Sequence, residues 1–269
     1  MKSKAVSVPY LMWILVFTII PLMLILVFAF TTDGGKFSLD AIRHVGFFAP
    51  VLLKSFRLAV ISTVICLIIG YPAAYLLTKL NASIQGTFVT LVILPMWINF
   101  LLRTYAWVNI LGNEGMINKF FSLFGFQVQM INTEGAVVLG MVYNFLPFMI
   151  LPLHSVMVKI NQSVIEAAQD LGANPLKVIK NVILPLSVPG IVSGITMVFV
   201  PAVSTFIISR MLGGGSNILI GDIIEEQMVG AANNPYVGAA ISMLLMVVVL
   251  IFMGLLGKVE DEDKEGMLV

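Results

Sequence analysis

Six runs of apolar residues, separated by short polar connectors, set the pattern of this chain: 8–30, 58–77, 88–111, 136–158, 182–208 and 236–257. A helix needs about 20 apolar residues to cross the hydrocarbon layer of a bilayer. The pattern therefore predicts an all-α membrane protein with six transmembrane helices and both termini on one side. The polar positions gather in the connectors 31–57, 78–87, 112–135, 159–181 and 209–235. Prolines lie in or near the runs at Pro21, Pro72, Pro95, Pro147, Pro152, Pro185, Pro189 and Pro201. Proline in a membrane helix frees carbonyls that neighbouring helices or water must satisfy; helices broken in this way line pathways, and others are simply kinked. The charge run 260–265 is predicted to be a solvated, disordered tail. With no internal repeat and no linker, the chain reads as a single transmembrane domain over 1–269.

Composition narrows the chemistry. The chain is 59% hydrophobic and 11% charged, against about 25% charged for a soluble domain. A net charge of +1 gives no case for nucleic acid. The lone Cys66 offers neither a disulfide nor a thiolate metal site and reads as a small buried hydrophobe. His44 and His154 are too few for a zinc centre, so no metal is assigned. Met and Phe, at 16 and 18 copies, read as lipid-facing and interhelical filler. The first run lacks a cleavage site and reads as a retained span. Gly213-Gly214-Gly215-Ser216 is not followed by the lysine of a phosphate loop and is predicted to be a flexible turn. No catalytic residue and no cofactor is assigned; any ATP is expected on another subunit.

Connector 159–181 carries the most specific signal. Ile160, Val164, Ala167, Ala168 and Leu171 fall at helical spacing opposite Gln162, Glu166, Gln169 and Asp170. Gly172 suits a left-handed helix end, and Asn174-Pro175 is a cap and first-turn pair that starts a second helix. The result is a helical hairpin outside the bilayer, fit to dock a soluble partner.

Three further segments are candidates for a transport pathway or gate. The third run holds Trp97, Asn99, Arg103 and Tyr105. A guanidinium in a membrane helix is costly against lipid, so Arg103 is expected to face protein or water, with carbonyls or a carboxylate to balance it; a structural ion pair or snorkelling to the interface is the competing explanation. The fourth run holds Tyr143, Asn144 and Phe148, residues suited to a gate or to plain helix packing. In connector 209–235, Asp222, Glu225 and Glu226 have the i, i+3, i+4 spacing of one helix face. Such a face would attract a cation, contact an external binding protein, or simply be solvated.

At Glu166-Ala167-Ala168, Gly172 and Leu184-Pro185 the chain resembles the permease subunits of bacterial ABC importers, with Val182 where that family's pattern has Ile. The resemblance implies a type I ABC importer permease fold and makes 159–181 the coupling loop, with Glu166, Ala167, Ala168, Asp170 and Gly172 engaging an ATPase. Leu-Pro-x-Trp-x-Asn-x-Leu-x-Arg at 94–103, Leu-Pro-Phe-Met at 146–149, and Pro-Ala at 201–202 with Leu-Gly-Gly at 212–214 and Leu-Ile-Gly at 219–221 look like the spermidine/putrescine branch, and within it the first of the importer's two permease subunits. That implies a second permease as heterodimer partner, two ATP-binding subunits, an extracytoplasmic substrate-binding protein, and a multi-pass place in the bacterial cytoplasmic membrane.

With both termini cytoplasmic, eight basic residues (Lys2, Lys4, Lys79, Lys159, Lys177, Lys180, Lys258, Lys264) lie inside and six (Lys36, Arg43, Lys54, Arg57, Lys119, Arg210) outside. The positive-inside rule leans that way, and the coupling-loop resemblance sets the orientation. An importer of another small solute and a secondary transporter are the alternatives; the latter usually shows inverted repeats and midplane charges.

Overall fold

The computed structural model describes residues 3–32, 34–126 and 128–266, with side chains described between 9 and 258. Lys2, and the side chains of Lys4 and of the charge run 260–265, lie outside the described set. In chain order the helices are α1 (Ser3–Ile14), α2 (Ile20–Ala29), α3 (Asp40–Val45), α4 (Ala49–Thr78), α5 (Ala82–Ile93), α6 (Phe100–Leu111), α7 (Met116–Ser122), α8 (Glu134–Met157), α9 (Gln162–Asp170), α10 (Pro175–Val178), α11 (Leu184–Leu186), α12 (Val188–Ser204), α13 (Ile207–Gly213), α14 (Ile220–Met228) and α15 (Pro235–Gly266). A π-helical turn, Leu15–Ile19, joins α1 to α2.

Four apolar helical stretches are long enough to cross a membrane unbroken: Pro9–Ala29, Asp40–Thr78, Glu134–Met157 and Pro235–Lys258. Two further crossings are bent pairs, Ala82–Trp97 with Phe100–Ser122 at 88° and Pro175–Leu186 with Val188–Ser204 at 68°. Counting each pair as one span gives six. Hydrophobic pattern alone gives no sign of the bends, so runs 88–111 and 182–208 differ here from the continuous spans predicted. The cause is local: Pro95 sits in a 3₁₀ turn, Leu94–Trp97, and Pro185 and Pro189 flank the second break. Pro72, Pro147, Pro152 and Pro201, by contrast, lie within continuous helices.

The core is built by α4, α8 and α12. Leu58, Ala59, Cys66 and Ala74 of α4 are buried against Val137, Met141, Met149 and Leu153 of α8 and Val198, Phe199, Ala202 and Val203 of α12. Helices approach closely where glycine meets a large side chain. A Cβ on Gly70 would lie 2.9 Å from Met149 Cγ, and one on Gly194 would lie 2.7 Å from Met149 Sδ. Phe56, Phe199 and Phe252 form an aromatic cluster joining α4, α12 and α15, with centroids 4.1–5.9 Å apart. Helix α2 packs on α15, and its exposed face, with residues 10–13 of α1, is apolar.

Two more expectations are corrected. The second span starts well before residue 58: α4 is one helix of 30 residues, so Lys54 and Arg57 belong to it and not to a connector. The backbone of 260–265 continues α15 as helix instead of a disordered tail; alternating acids and a lysine do not oppose a helix already nucleated by a long apolar segment.

Gly221, at the start of α14, lies against the carbonyl oxygens of Ser204 and Thr205; a Cβ there would sit 2.6 Å from the Thr205 oxygen and closer still to that of Ser204. Backbone cannot rotate away as a side chain can. Gly221→Ala should destabilise the fold by about 1–3 kcal/mol, read as a lower midpoint of thermal unfolding in detergent. Gly254→Ala, which meets nothing within 4 Å, should leave the midpoint within a degree or two of the parent.

Candidate functional site

The hairpin between the fourth and fifth crossings forms as its sequence dictates. Asn161 caps α9 by accepting from the Ser163 N–H at 3.1 Å. At the other end Gly172 takes φ +82°, the Ala173 N–H reaches the Ala168 carbonyl (3.0 Å) and the Gly172 N–H that of Gln169 (2.8 Å), the paired bonds of a Schellman cap. Asn174 then accepts from the Lys177 N–H at 2.8 Å and Pro175 opens α10. Ile165, Val178 and Ile183 make a small core of their own, with Ala168 and Ala173 packed on it.

That core revises the predicted faces of α9. Ile165 and Ala168 form the seam, because α9 folds back on α10 through Val178, whereas Val164 and Leu171 turn outward. Leu171 is 90% exposed and Leu176 is 77% exposed. Glu166, Ala167 and Asp170 lie on the exposed surface with them. The outward side is thus a mixed patch of apolar knobs and carboxylates. It holds no group that does chemistry; it can seat in a groove of another protein.

The second arm leads directly into the bundle. Through a π-helical turn, Ile179–Ile183, it runs into α11, then bends into α12 at Ser187. Ser187 is fully buried; its Oγ donates to the Leu184 carbonyl (2.9 Å) and lies 3.1 Å from Tyr71 Oη of α4. A cavity of about 380 Å³ between hairpin and bundle is lined by Tyr75, Thr78, Lys79, Met157 and Ile165. Nearby, Gln85 of α5 meets His154 of α8 at 2.8 Å, so His154 is a packed residue tying two helices.

The third-crossing candidates separate. Trp97, at the bend, is 80% exposed and Tyr105 is also exposed, while Arg103 is buried on the opposite side of α6. Asn99 has a structural role: its Oδ1 accepts from the Leu101 N–H (2.8 Å) and caps α6 immediately after the break. The Arg103 guanidinium is not snorkelled; it stands 5.8 Å from the Phe100 ring centre. The predicted balancing acceptor is missing among the described residues, for Nε and Nη1 are buried without hydrogen-bond partners. In the fourth crossing Tyr143 packs edge-on to Trp107 (5.3 Å). Asn144, fully buried, donates to the Gly140 carbonyl at 2.9 Å and leaves Oδ1 without a partner. Phe148 is partly buried against the main core.

At the end of the bundle away from the hairpin, the acidic trio is not a free face. Asp222 is buried: it accepts from Ser209 Oγ at 2.5 Å and from the Leu219 N–H at 2.8 Å, capping its own helix. Arg210 lies 3.8 Å from Asp222 and hydrogen-bonds Glu225. Glu226 accepts from the Ala231 N–H (3.0 Å). Burial raises the Asp222 carboxyl above its ordinary value, against the pull of its two hydrogen bonds, whereas the Arg210 bond lowers Glu225. Ser209, Arg210, Asp222 and Glu226 line a cleft of about 260 Å³. The i, i+3, i+4 spacing gave α14 correctly, but the side-chain partners of Asp222 and Glu225, Ser209 and Arg210, come from α13, which pattern alone did not pair with it.

Sequence reasoning also missed a polar network beside this cleft. Glu134, at the start of α8, binds Arg57 (2.5 Å) and Lys54 (3.4 Å) of α4, and Lys54 reaches Asn217 Oδ1 (2.9 Å). The three-glycine turn is specified and not loose. Gly214 has φ +59° and a Cβ there would run into the Asn132 side chain, and Asn217 Nδ2 donates to the Asn132 carbonyl (2.9 Å).

Comparison with known proteins places this geometry. Residues 66–258 match the family described as "Binding-protein-dependent transport system inner membrane component". The chain is 37% identical over 87% of its length to a spermidine/putrescine transport system permease protein of Haemophilus influenzae, covering 86% of that protein. It is 35% identical over 88% of its length to the corresponding Escherichia coli protein, covering 90% of it. Among solved structures, a chain of a bacterial ABC transporter involved in the import of the acidic polysaccharide alginate matches with TM-score 0.77 at 18% identity, over 96% of this chain and 94% of that one. A MetNI methionine ABC transporter chain matches at 0.60, also at 18% identity, over 82% and 98%. These two likenesses concern the fold alone, that of ABC importer permeases. The chain belongs to the family of binding-protein-dependent transport system inner membrane components.

Proposed function

We propose that this chain is one of two permease subunits of an ABC importer that carries polyamines such as spermidine and putrescine across the cytoplasmic membrane. The observation that supports it most is likeness over nearly the whole chain to permeases named for that transport. The hairpin 159–181 is the lever that meets an ATP-binding subunit. Its exposed Leu171 and Leu176 enter the partner's groove, with Glu166 and Asp170 beside them. ATP is bound and hydrolysed on that partner, present twice in the assembly, so this subunit needs no cofactor.

Both termini then face the cytoplasm, and the cleft at α13–α14 faces the substrate-binding protein. The arm from Pro175 carries motion of the hairpin to Ser187 and into α12. Trp97 and Tyr105, exposed on this chain, lie on the side of α5–α6 that meets the second permease. Arg103, buried on the other side of α6, positions that helix within this subunit and does not bind the cation. Tyr143, Asn144 and Phe148 continue the pathway along the fourth crossing, α8, toward the hairpin. At the far end Glu225 and Glu226 supply the negative potential for a polycation, while Asp222 holds α14 in place. The discriminating assay is ATP hydrolysis by the reconstituted complex with loaded binding protein: spermidine or putrescine should stimulate it, and an unrelated neutral solute should not.

Two variants test the assignments. Gly172→Val places a β-branched side chain where the left-handed backbone costs about 1–2 kcal/mol; the protein should insert normally, lose co-purification with the ATPase, and lose most uptake. Normal co-purification and uptake would remove the hairpin from the coupling role. The double change Glu225→Gln and Glu226→Gln should lower spermidine uptake several-fold at low salt, with a smaller effect at high salt because the field is screened over about 8–10 Å, and leave the unfolding midpoint little changed. Asp222→Asn should lower the midpoint as well, because it weakens the Ser209 and Leu219 bonds. Equal uptake by the double variant and the parent would exclude the electrostatic role.

A further inference from the structure

The segment between the third and fourth crossings, 112–135, is polar enough at its ends to read as an aqueous connector, yet its middle is not. Helix α7 and the turn after it expose Met116, Phe120, Leu123, Phe124 and Phe126, with Leu123 at 80% and Phe124 at 64%. Phe120 packs edge-on to Phe121 and Phe124, with centroids 6.1 and 5.4 Å away. Across 115–133 the single charged residue is Lys119. We infer that this segment is an interfacial anchor, seated with its phenylalanines among the acyl-chain ends of the leaflet at the bundle end opposite the hairpin.

Three observations favour lipid over a protein partner. First, the polar groups of the segment are satisfied from within. Asn118, buried, donates to the Gly112 carbonyl (3.0 Å) and accepts from the Val128 N–H (3.3 Å). Ser122 Oγ donates to the Lys119 carbonyl (2.7 Å). The N–H groups of Phe124, Gly125 and Phe126 bond back to Phe121 and Ser122 at 3.0–3.2 Å. Internal satisfaction of the backbone is what hydrocarbon demands and a wet protein interface does not. Second, the polar side chains face elsewhere: Asn113, Glu114, Asn118 and Gln129 line a cavity of about 560 Å³. The segment is therefore two-sided, as a helix lying in the interface plane is. Third, the apolar side is continuous with a membrane-crossing leg, since Phe100–Ser122 is one arm of the bent third crossing. Lys119 at that depth can extend to lipid phosphates, as interfacial lysines do.

Cys66 is fully buried, so with cysteine-free partner subunits a single introduced cysteine is the one accessible thiol for a nitroxide label. Leu123→Cys and Phe120→Cys, with Glu114→Cys as the water-side reference, would be labelled in the importer complex reconstituted into liposomes. Collision rates with oxygen, which partitions into lipid, and with a neutral nickel chelate, which stays in water, give the depth. The inference expects oxygen collisions to exceed nickel collisions several-fold at 123 and 120, and the reverse at 114. Nickel access at 123 and 120 equal to that at 114 puts the segment in water and overturns it. Protection from both reagents means burial against a protein subunit and overturns it equally, as does protection that develops only when the binding protein is added. The outcome is independent of the transported solute, so it stands apart from the polyamine assignment.

Discussion

Everything in this fold hangs from the close approach of three helices around Met149. With glycines 70 and 194 on either side of it, α4 and α12 come near enough to α8 to bury one side chain between them. Lipid tails are as apolar as the side chains themselves, so association of membrane helices rests on packing contacts and not on expulsion of water. Small residues make those contacts dense. The same device recurs at Gly140, where Ile208 and Leu212 of α13 press on α8. The three-helix core is consequently rigid, and the bent crossings and short helices are arranged on it.

Rigidity at the core sets where motion can occur. The bend at Ser187 lies between the hairpin arm and α12, and its polar group is satisfied by Leu184 and Tyr71 without help from water. A buried hydroxyl with alternative acceptors one turn away can change partner at little cost, which a buried apolar side chain locked between helices cannot. The bend at Ile98–Asn99 has the same character, because the Asn99 cap lets α6 begin afresh after the break. Two crossings thus have a built-in joint, one of them next to the hairpin.

The legible and illegible parts of the chain differ for physical reasons. Run length fixed the crossings because hydrocarbon thickness is a hard constraint, and the hairpin was readable because Gly172 and Asn174-Pro175 each act on their own neighbours; the Asn161 cap was there to be read in the same way but was not. Bend angles were not legible, since proline occurs both at the sharp breaks (Pro95, Pro185) and inside continuous helices (Pro72, Pro147). The inward face of α9 was misread because its partner, Val178, lies on the next helix and no periodicity within α9 records it. The acidic trio failed likewise: spacing placed Asp222, Glu225 and Glu226 on α14, but Ser209 and Arg210, which change their electrostatics, come from another element. The burial of Arg103 agrees with the cost of exposing a guanidinium to lipid, but no acceptor for its Nε or Nη1 stands among the described residues.

The two ends of the bundle are held by different forces. Away from the hairpin, Lys54, Arg57, Glu134, Asn217, Ser209, Arg210 and Asp222 cross-link α4, α8, α13 and α14 through charge-assisted bonds. The more exposed of these ion pairs contribute about 0–1 kcal/mol each. The bond of Ser209 to the buried Asp222, and that of Ser55 Oγ accepting from the Ile220 N–H (2.7 Å), are shielded from water, where losing a partner strands a polar group at a cost of roughly 1–3 kcal/mol. Among the described residues, the corresponding links near the hairpin are the Gln85–His154 and Tyr71–Ser187 contacts, beside an open cavity of about 380 Å³. A push applied at the hairpin therefore meets the weaker end first. The bundle would yield there, around the joint at Ser187, while the cross-linked end keeps its shape until the motion reaches it through α12.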